Sequence, residues 1–581
     1  MHQALRVVRD RFGWALLLLA GAVTASTAPT PARGARPERL ALRHLGLQIE
    51  GPPVTLLPAD LDADGRRDLL VVTAYTYWGQ STEQTTTEVD GRLFEEVRVR
   101  PTLVDRRQMR PWLASPDGTY RAAGPPQAVP GFVHAFEPGP AKQAVLAITD
   151  HGVSEVTYDA QAEGALQLTD VFEADGLLAG SQTLLPGSRF MADVNADGRP
   201  DLLFPAREGL AIHLARDGRL DPEPVAIIAL PGDASGKDGV AWRRYPLPVV
   251  EDVQGDGLPD LVFLDRGDDD ALTAGSEHDV NAVTVIPGIG GGHFGVPVKI
   301  ELAAPQARDV RIDTDRKGMP VIHLPAHVLP GSLSYFGDLD GDGMAELATQ
   351  EQIEADGDGL RAELRNAKRP HYRHRFYRLD AGLHVARRPY LTFQAEGYPF
   401  DFNWLDASPG GFVDLDGDGR KELVTIGLDF SLWQAPKILI ARTIGVGIDF
   451  HVWRQQVGGA FHEVPDARMR GKFKIDLSPV RIIEFAQFAG DVDGDGHIDF
   501  LHFGSSRTID IHRGGEGCRF PAKADASIRL DRAPKDPGLV RVRDIDGDGR
   551  SDLVVVTPLR AEEKGESRPT RLEFYLTGNG R

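Results

Sequence analysis

Cysteine is nearly absent from this chain: Cys518 is the single one among 581 residues. One thiol forms no internal disulfide, so the fold is held by other means. Cys518 is read as a small buried apolar residue rather than a nucleophile. Helix-length amphipathic runs are scarce, whereas Gly (64) and Pro (41) are abundant, and many short strands joined by turns are expected. Positive charge is in deficit, with 65 Lys and Arg against 85 Asp and Glu and a formal net charge of -20. Such a surface repels phosphate backbones, which excludes nucleic acid as a partner. The motifs G-x-S-x-G and H-E-x-x-H are missing, and there is no Cys/His pair. What is plentiful is apolar residue, at 41%, which excludes a disordered chain.

The first 25 residues read as a secretory signal peptide. Arg6, Arg9 and Arg11 form a positive n-region. An apolar run follows from Trp14 to Val23, and Val23-Thr24-Ala25 offers a small-x-small cleavage site. The run is short for a membrane span. No cysteine stands near the cleavage point, so a lipoprotein anchor is not expected. Residues 26–38 are a Pro-, Ala-, Thr- and Arg-rich linker, and 39–581 form the folded domain. No later stretch is long and apolar enough to span a bilayer, so the mature protein is expected to be exported without a transmembrane span.

A repeat dominates the rest. The pattern D-x-[DNQ]-x-D-G-x-x-[DE] occurs seven times. Its copies are Asp60, Asp62, Asp64, Gly65, Asp68; Asp193, Asn195, Asp197, Gly198, Asp201; Asp252, Gln254, Asp256, Gly257, Asp260; and Asp338, Asp340, Asp342, Gly343, Glu346. The remaining three are Asp414, Asp416, Asp418, Gly419, Glu422; Asp491, Asp493, Asp495, Gly496, Asp499; and Asp544, Asp546, Asp548, Gly549, Asp552.

The spacing suits calcium, a hard cation that takes six to eight oxygen ligands. Acids at positions 1, 3 and 5 converge when the backbone curls, and glycine at position 6 permits the reversal. A carbonyl at position 7 and the carboxylate at position 9 close the shell. Asn195 and Gln254 keep an oxygen but lose a charge, so their sites are expected to bind more weakly. An EF-hand needs an acid at position 12 and flanking helices. Position 12 is Val71, Phe204, Phe263, Thr349, Thr425, His502 and Val555, and apolar strands such as Leu69–Val72 follow each motif. EF-hands and the similar helical dockerin repeats are thereby excluded. The motifs hold 26 carboxylates, and seven calcium ions would bring the charge from -20 to -6. Without metal, like charges crowd each loop and loosen the fold.

Successive copies begin 133, 59, 86, 76, 77 and 53 residues apart. Most of these intervals suit one four-stranded sheet. The first is double, and within it Phe132–Phe136 and Ala144–Ile148 read as a strand pair whose turn, with Pro138, Pro140 and Lys142, lacks aspartate. This is an eighth unit without metal. After the last motif, Asp552–Thr557 and Leu572–Leu576 supply two strands and no fourth, while Leu40–Ile49 is an orphan strand ahead of the first motif. The orphan is expected to complete the last sheet and close a ring, which removes open edges.

The motifs, preceded by apolar residues as in Tyr335-Phe336-Gly337 and Phe485–Gly490, resemble FG-GAP/VCBS repeats of integrin α-subunit propellers and many secreted bacterial proteins. The resemblance spans about residues 40–581. It implies an all-β propeller with structural calcium, eight-bladed by the count of units or seven-bladed as in integrins. It also implies partners, protein or carbohydrate, on the face opposite the calcium loops. Three segments are read as long loops on that face. One follows Thr73 with Tyr75, Tyr77 and Trp78, one is the acidic run 265–279, and one follows Gly427 with Trp433. A binding or adhesion scaffold is the expected role. The alternative is a secreted lyase-like enzyme acting on polysaccharide, for which His371, Arg373, His374 and Arg375 are the one dense basic stretch. Arg266-Gly267-Asp268 is read as a chance tripeptide.

Overall fold

Several second strands of the repeat hold a run of apolar residues with no polar alternation, such as Leu69-Leu70-Val71-Val72. Such a strand needs cover on both faces, and the architecture supplies it. The structure is a computed structural model. It describes residues 38–578 apart from 41, 90–91, 142–143, 163–164, 177–183, 185–188, 230–246, 266–279, 281, 303–310, 315–319, 324–328, 354–364, 367, 401–410, 430–442, 478–479, 505–506, 535–538 and 560–568. The expected signal peptide, almost all of the linker, the acidic run from 266 on and Trp433 lie outside these residues.

The described residues form an all-β chain of four-stranded antiparallel sheets, an arrangement compatible with a propeller. The first sheet is built on Pro53–Ala59, Asp68–Val89, Arg92–Ala114 and Tyr120–Ala122. The second comprises Val133–Pro138, Val145–Thr149, Gly152–Tyr158 and Leu166–Glu173, so the segment without a motif has its own sheet. The third is Met191–Ala192, Asp201–Ala206, Gly209–His213 and Ala226–Ile228. The fourth is Val249–Glu251, Asp260–Asp265, Ala282–Ile286 and Val298–Glu301. The fifth is Ser332–Gly337, Glu346–Ile353, His371–Arg378 and Leu391–Glu396.

The sixth comprises Phe412–Val413, Glu422–Asp429, Thr443–Trp453 and Ala467–Leu477. The seventh comprises Val480–Gly490, Asp499–Phe503, Thr508–His512 and Ala526–Arg529. These two are fused, because Ala467–Leu477 also pairs with Val480–Gly490. The eighth sheet joins distant parts of the sequence. Val540–Arg543, Asp552–Pro558 and Pro569–Thr577 are completed by Leu42–Glu50, in a register that sets Leu45 opposite Phe574 and Leu47 opposite Leu572.

Alternate residues of the second strands enter different cores, as a period of two dictates. Leu69 and Val71 join a core shared with the eighth sheet, while Leu70 and Val72 join one shared with the second. Further cores link the second sheet to the third, the third to the fourth, the fourth to the fifth and the fifth to the sixth. Two more link the sixth to the seventh and the seventh to the eighth. Each sheet therefore buries both faces on its neighbours, and the succession of eight interfaces returns to its start.

One expectation is corrected here. The segment after Thr73 is not an irregular loop, because Asp68–Val89 and Arg92–Ala114 pair continuously from Leu69–Trp112 to Val89–Arg92. Its run of β-branched and aromatic residues favours an extended hairpin.

Candidate metal centre

All seven motifs occupy the same place. The first strand of the sheet ends one residue before position 1, and the second begins at position 9. The position 1 carboxylate closes the turn by accepting backbone N–H groups. Asp60 accepts from Asp64 and Gly65 at 2.9 and 3.0 Å, and Asp491 accepts from Gly494 and Gly496 at 2.6 and 2.8 Å. The position 5 carboxylate accepts from the N–H of position 7 in every loop, at 2.9 to 3.0 Å. Position 6 glycines have φ of 79 to 90°, where a side chain is strained.

Position 9 is the buried member. In all seven loops one of its oxygens accepts the N–H of position 2, for example Val492 to Asp499 at 2.9 Å. In the five aspartate copies the other oxygen accepts a backbone N–H just past or at the end of the third strand. The donors are Ala114, Ala215, Gly288, Gly514 and Thr577, at 2.7 to 2.8 Å. The residue expected to close a metal shell thus also pins the turn to the sheet.

Position 3 holds the unpartnered oxygens of the loops. Asp62, Asp340, Asp416, Asp493 and Asp546 each have a buried Oδ1 with no hydrogen-bond partner among the described residues. A carboxylate oxygen withdrawn from water without a partner is costly. The other oxygen meets an arginine in Asp340–Arg378 (3.3 Å), Asp416–Arg454 (3.1 Å) and Asp493–Arg513 (2.9 Å). Ligand oxygens of Asp60, Asp62 and Asp68 lie within 4.8 Å of one another, as do those of Asp338, Asp340 and Glu346, of Asp414, Asp416 and Asp418, and of Asp491, Asp493 and Asp499. These all-oxygen, acidic donor sets fit calcium.

The two amide copies use their position 3 side chains within the protein. Asn195 Oδ1 accepts from the Asp197 N–H at 2.9 Å, and Gln254 Nε2 donates to the Ala381 carbonyl at 2.7 Å. Their polar atoms are engaged inside the protein.

Burial raises the position 9 carboxyls above the ordinary range, and neighbouring loop carboxylates add to this in most copies. Asp68, Asp201 and Asp260 rise; Asp552 reaches about 6, Asp499 and Glu346 about 7, and Glu422 about 8. Desolvation without a nearby cation is the principal cause.

The loops also touch one another, which spacing alone does not reveal. The N–H at position 8 donates to the preceding loop: Ala345 to the Val253 carbonyl, Lys421 to Leu339, Ile498 to Leu415 and Ser551 to Asp491, at 2.6 to 3.0 Å. His497 Nδ1 lies 2.8 Å from the Asp416 carbonyl. Position 4 is left-handed in all seven loops. At Gly417, a Cβ would stand 2.8 Å from the Gly496 carbonyl of the next loop. The available signal was glycine at position 4 in five copies, Gly255, Gly341, Gly417, Gly494 and Gly547.

A cavity of about 350 Å³ lies between the eighth and first sheets. Gln48, Glu50, Gln108, Arg110 and Trp112 contribute to its lining. The Trp112 Nε1 and Gln108 Oε1 atoms are buried without hydrogen-bond partners among the described residues. The Arg110 guanidinium lies 5.3 Å from the Trp112 ring centroid and donates to the Gly124 carbonyl. The basic stretch His371–Arg378 is the third strand of the fifth sheet, paired on both edges. Arg373 and Arg375 both meet Glu351, at 3.6 and 2.6 Å, and burial holds His374 neutral with a pKa of about 3.

No known family pattern and no curated protein matches the sequence. Among solved structures, the chain is similar to a protein from Lactobacillus plantarum at 8% identity, over 73% of this chain and 95% of that one, with a TM-score of 0.24. It is also similar to the extracellular domain of a putative hybrid two component system from B. thetaiotaomicron, at 9% identity over 92% and 82% of the two chains, with a TM-score of 0.16. A third likeness, to TcdB2-TccC3, has 11% identity over 91% of this chain and 28% of that one, with a TM-score of 0.16.

Proposed function

We propose that this protein is an exported, calcium-clamped, eight-bladed β-propeller of the FG-GAP/VCBS type that serves as a binding scaffold. The orphaned position 3 oxygens of Asp62, Asp340, Asp493 and Asp546 carry the calcium reading. Eight shared cores, each between two successive sheets, support eight blades, with Leu42–Glu50 closing the ring. Calcium has a structural role, because its ligands belong to the turns themselves. Export rests on the N-terminal signal-like segment.

The ligand reading is carbohydrate, placed at the cavity between the eighth and first sheets. A tryptophan beside amide and carboxyl groups, in a cleft of this size, suits a hydroxyl-rich ligand. A lyase is the less favoured reading, since the basic stretch is a core strand whose Arg373 and Arg375 are paired. A glycan and protein array, probed in calcium and again in chelator, tests the scaffold. Calcium-dependent capture of a glycan, weakened at least about tenfold by Trp112→Ala, is expected from losing a central aromatic contact. Capture of nothing on the array, or turnover of anionic polysaccharide to unsaturated products, would overturn it.

A further inference from the structure

The fifth loop, Asp414 to Glu422, departs from the others. Its position 9 residue is a glutamate whose buried Oε1 accepts no N–H among the described residues. Where the aspartate copies accept an N–H from their own third strand, this carboxyl faces the thiol of Cys518. That residue follows the third strand of the seventh sheet, in a turn reaching back to the loop, and Gly517 N–H donates to Asp416 Oδ2 at 2.9 Å. The sulfur and one carboxylate oxygen each of Asp416 and Glu422 lie within 4.8 Å of one another.

All three residues are withdrawn from solvent, with exposures of 5% for Asp416, 0% for Glu422 and 1% for Cys518. Asp416 Oδ1 is a buried oxygen without a hydrogen-bond partner among the described residues. Cys518 holds a φ of 54°, a left-handed conformation rare for a residue with a side chain. The turn therefore imposes the placement of the thiol. As a filler, Cys518 packs with Phe488 and Phe500 in the core between the sixth and seventh sheets, and its thiol is in hydrogen-bond reach of the Glu422 carboxyl, but the buried Asp416 Oδ1 beside it goes unexplained by packing.

We propose that Asp416, Glu422 and Cys518 form a site for a thiophilic divalent cation such as zinc, distinct in metal preference from the other six loops. Calcium takes oxygen ligands and gains little from sulfur. Zinc takes thiolate and carboxylate together, with water at a fourth position. On binding, the metal–sulfur bond forms and the thiol proton leaves to solvent, with no change of oxidation state. The site rests on these three residues and not on the calcium reading.

The full-length exported chain, stripped with chelator and dialysed against excess calcium with one equivalent of zinc, is examined by X-ray absorption at the zinc edge. One sulfur scatterer at about 2.3 Å is expected. Cobalt(II) in place of zinc should give a thiolate-to-metal charge-transfer band that Cys518→Ser abolishes. An all-oxygen or all-nitrogen zinc shell in the unmutated protein overturns the proposal, as does a zinc content that calcium competes to zero. Both readouts on the unmutated chain stand even where the variant fails to fold. Calcium bound at the remaining loops, counted in the same sample, tests the earlier reading separately.

Discussion

Asp499 accepts from Val492 N–H with one oxygen and from Gly514 N–H with the other, and it is fully buried. Asp499→Ala would leave both donors unsatisfied away from water. Each buried unpaired donor costs about 1–3 kcal/mol, so a loss of about 2–6 kcal/mol is expected in urea unfolding. Asp495→Ala, at an exposed position whose single turn bond is to His497, should cost less than half as much. Equal losses would show that position 9 is only a metal ligand. The sequence shows the acid and its spacing but says nothing of these bonds. The Gly514 donor lies 15 residues away on a turn whose course depends on the whole sheet.

At the scale of the strand, Leu42–Glu50 is the element with the greatest reach. It adds nine paired residues to Pro569–Thr577 and places Leu45, Leu47 and Ile49 in the core shared by the eighth and first sheets. Burying a leucine or isoleucine contributes about 1.5–3 kcal/mol, so removing residues 26–50 should cost at least about 5 kcal/mol and expose a sheet edge. A much lower melting temperature with aggregation is the expected result, and adding the peptide back in excess should reverse part of it. An unchanged melting temperature would mean that the eighth sheet stands without its fourth strand. This strand was legible beforehand because its alternation had no partner nearby. The long hairpin after Thr73 was not, because Tyr75, Tyr77 and Trp78 read equally well as a binding loop until their pairing partners, Arg106, Val104 and Leu103, were known.

At the scale of the molecule, the third to seventh loops form a linked series along one end of the sheets, with the fourth to seventh each seated on the one before through its position 8 N–H. Loosening one loop therefore loosens its neighbours. Chelation is expected to lower the melting temperature strongly, and pH should modulate the loss. The folded, metal-free carboxyls lie at about 6 for Asp552, about 7 for Asp499 and Glu346 and about 8 for Glu422. These are above the ordinary range of about 4, so the metal-free fold binds more protons than the unfolded chain between these limits. The stability that these four carboxyls contribute is fully present below about pH 4 and is lost as pH rises through about 6 to 8. Bound calcium favours the ionised carboxylates and removes that loss. The calcium-dependent gap in melting temperature should widen from about pH 5 to pH 8; a gap that narrows would contradict the reading.

Spacing and residue type by themselves determined the seven turns, the extra strand pair at Phe132–Phe136 and Ala144–Ile148 and the strand that completes the last sheet, because backbone reversal at the motifs and period-two burial are local rules. Tertiary structure decided what those rules leave open. It fused the sixth and seventh sheets through Ala467–Leu477 and Val480–Gly490 and brought the Cys518 thiol to the fifth loop from about a hundred residues downstream. Contacts of that kind depend on how neighbouring sheets stack, and stacking is set by the summed packing of many side chains rather than by any one motif.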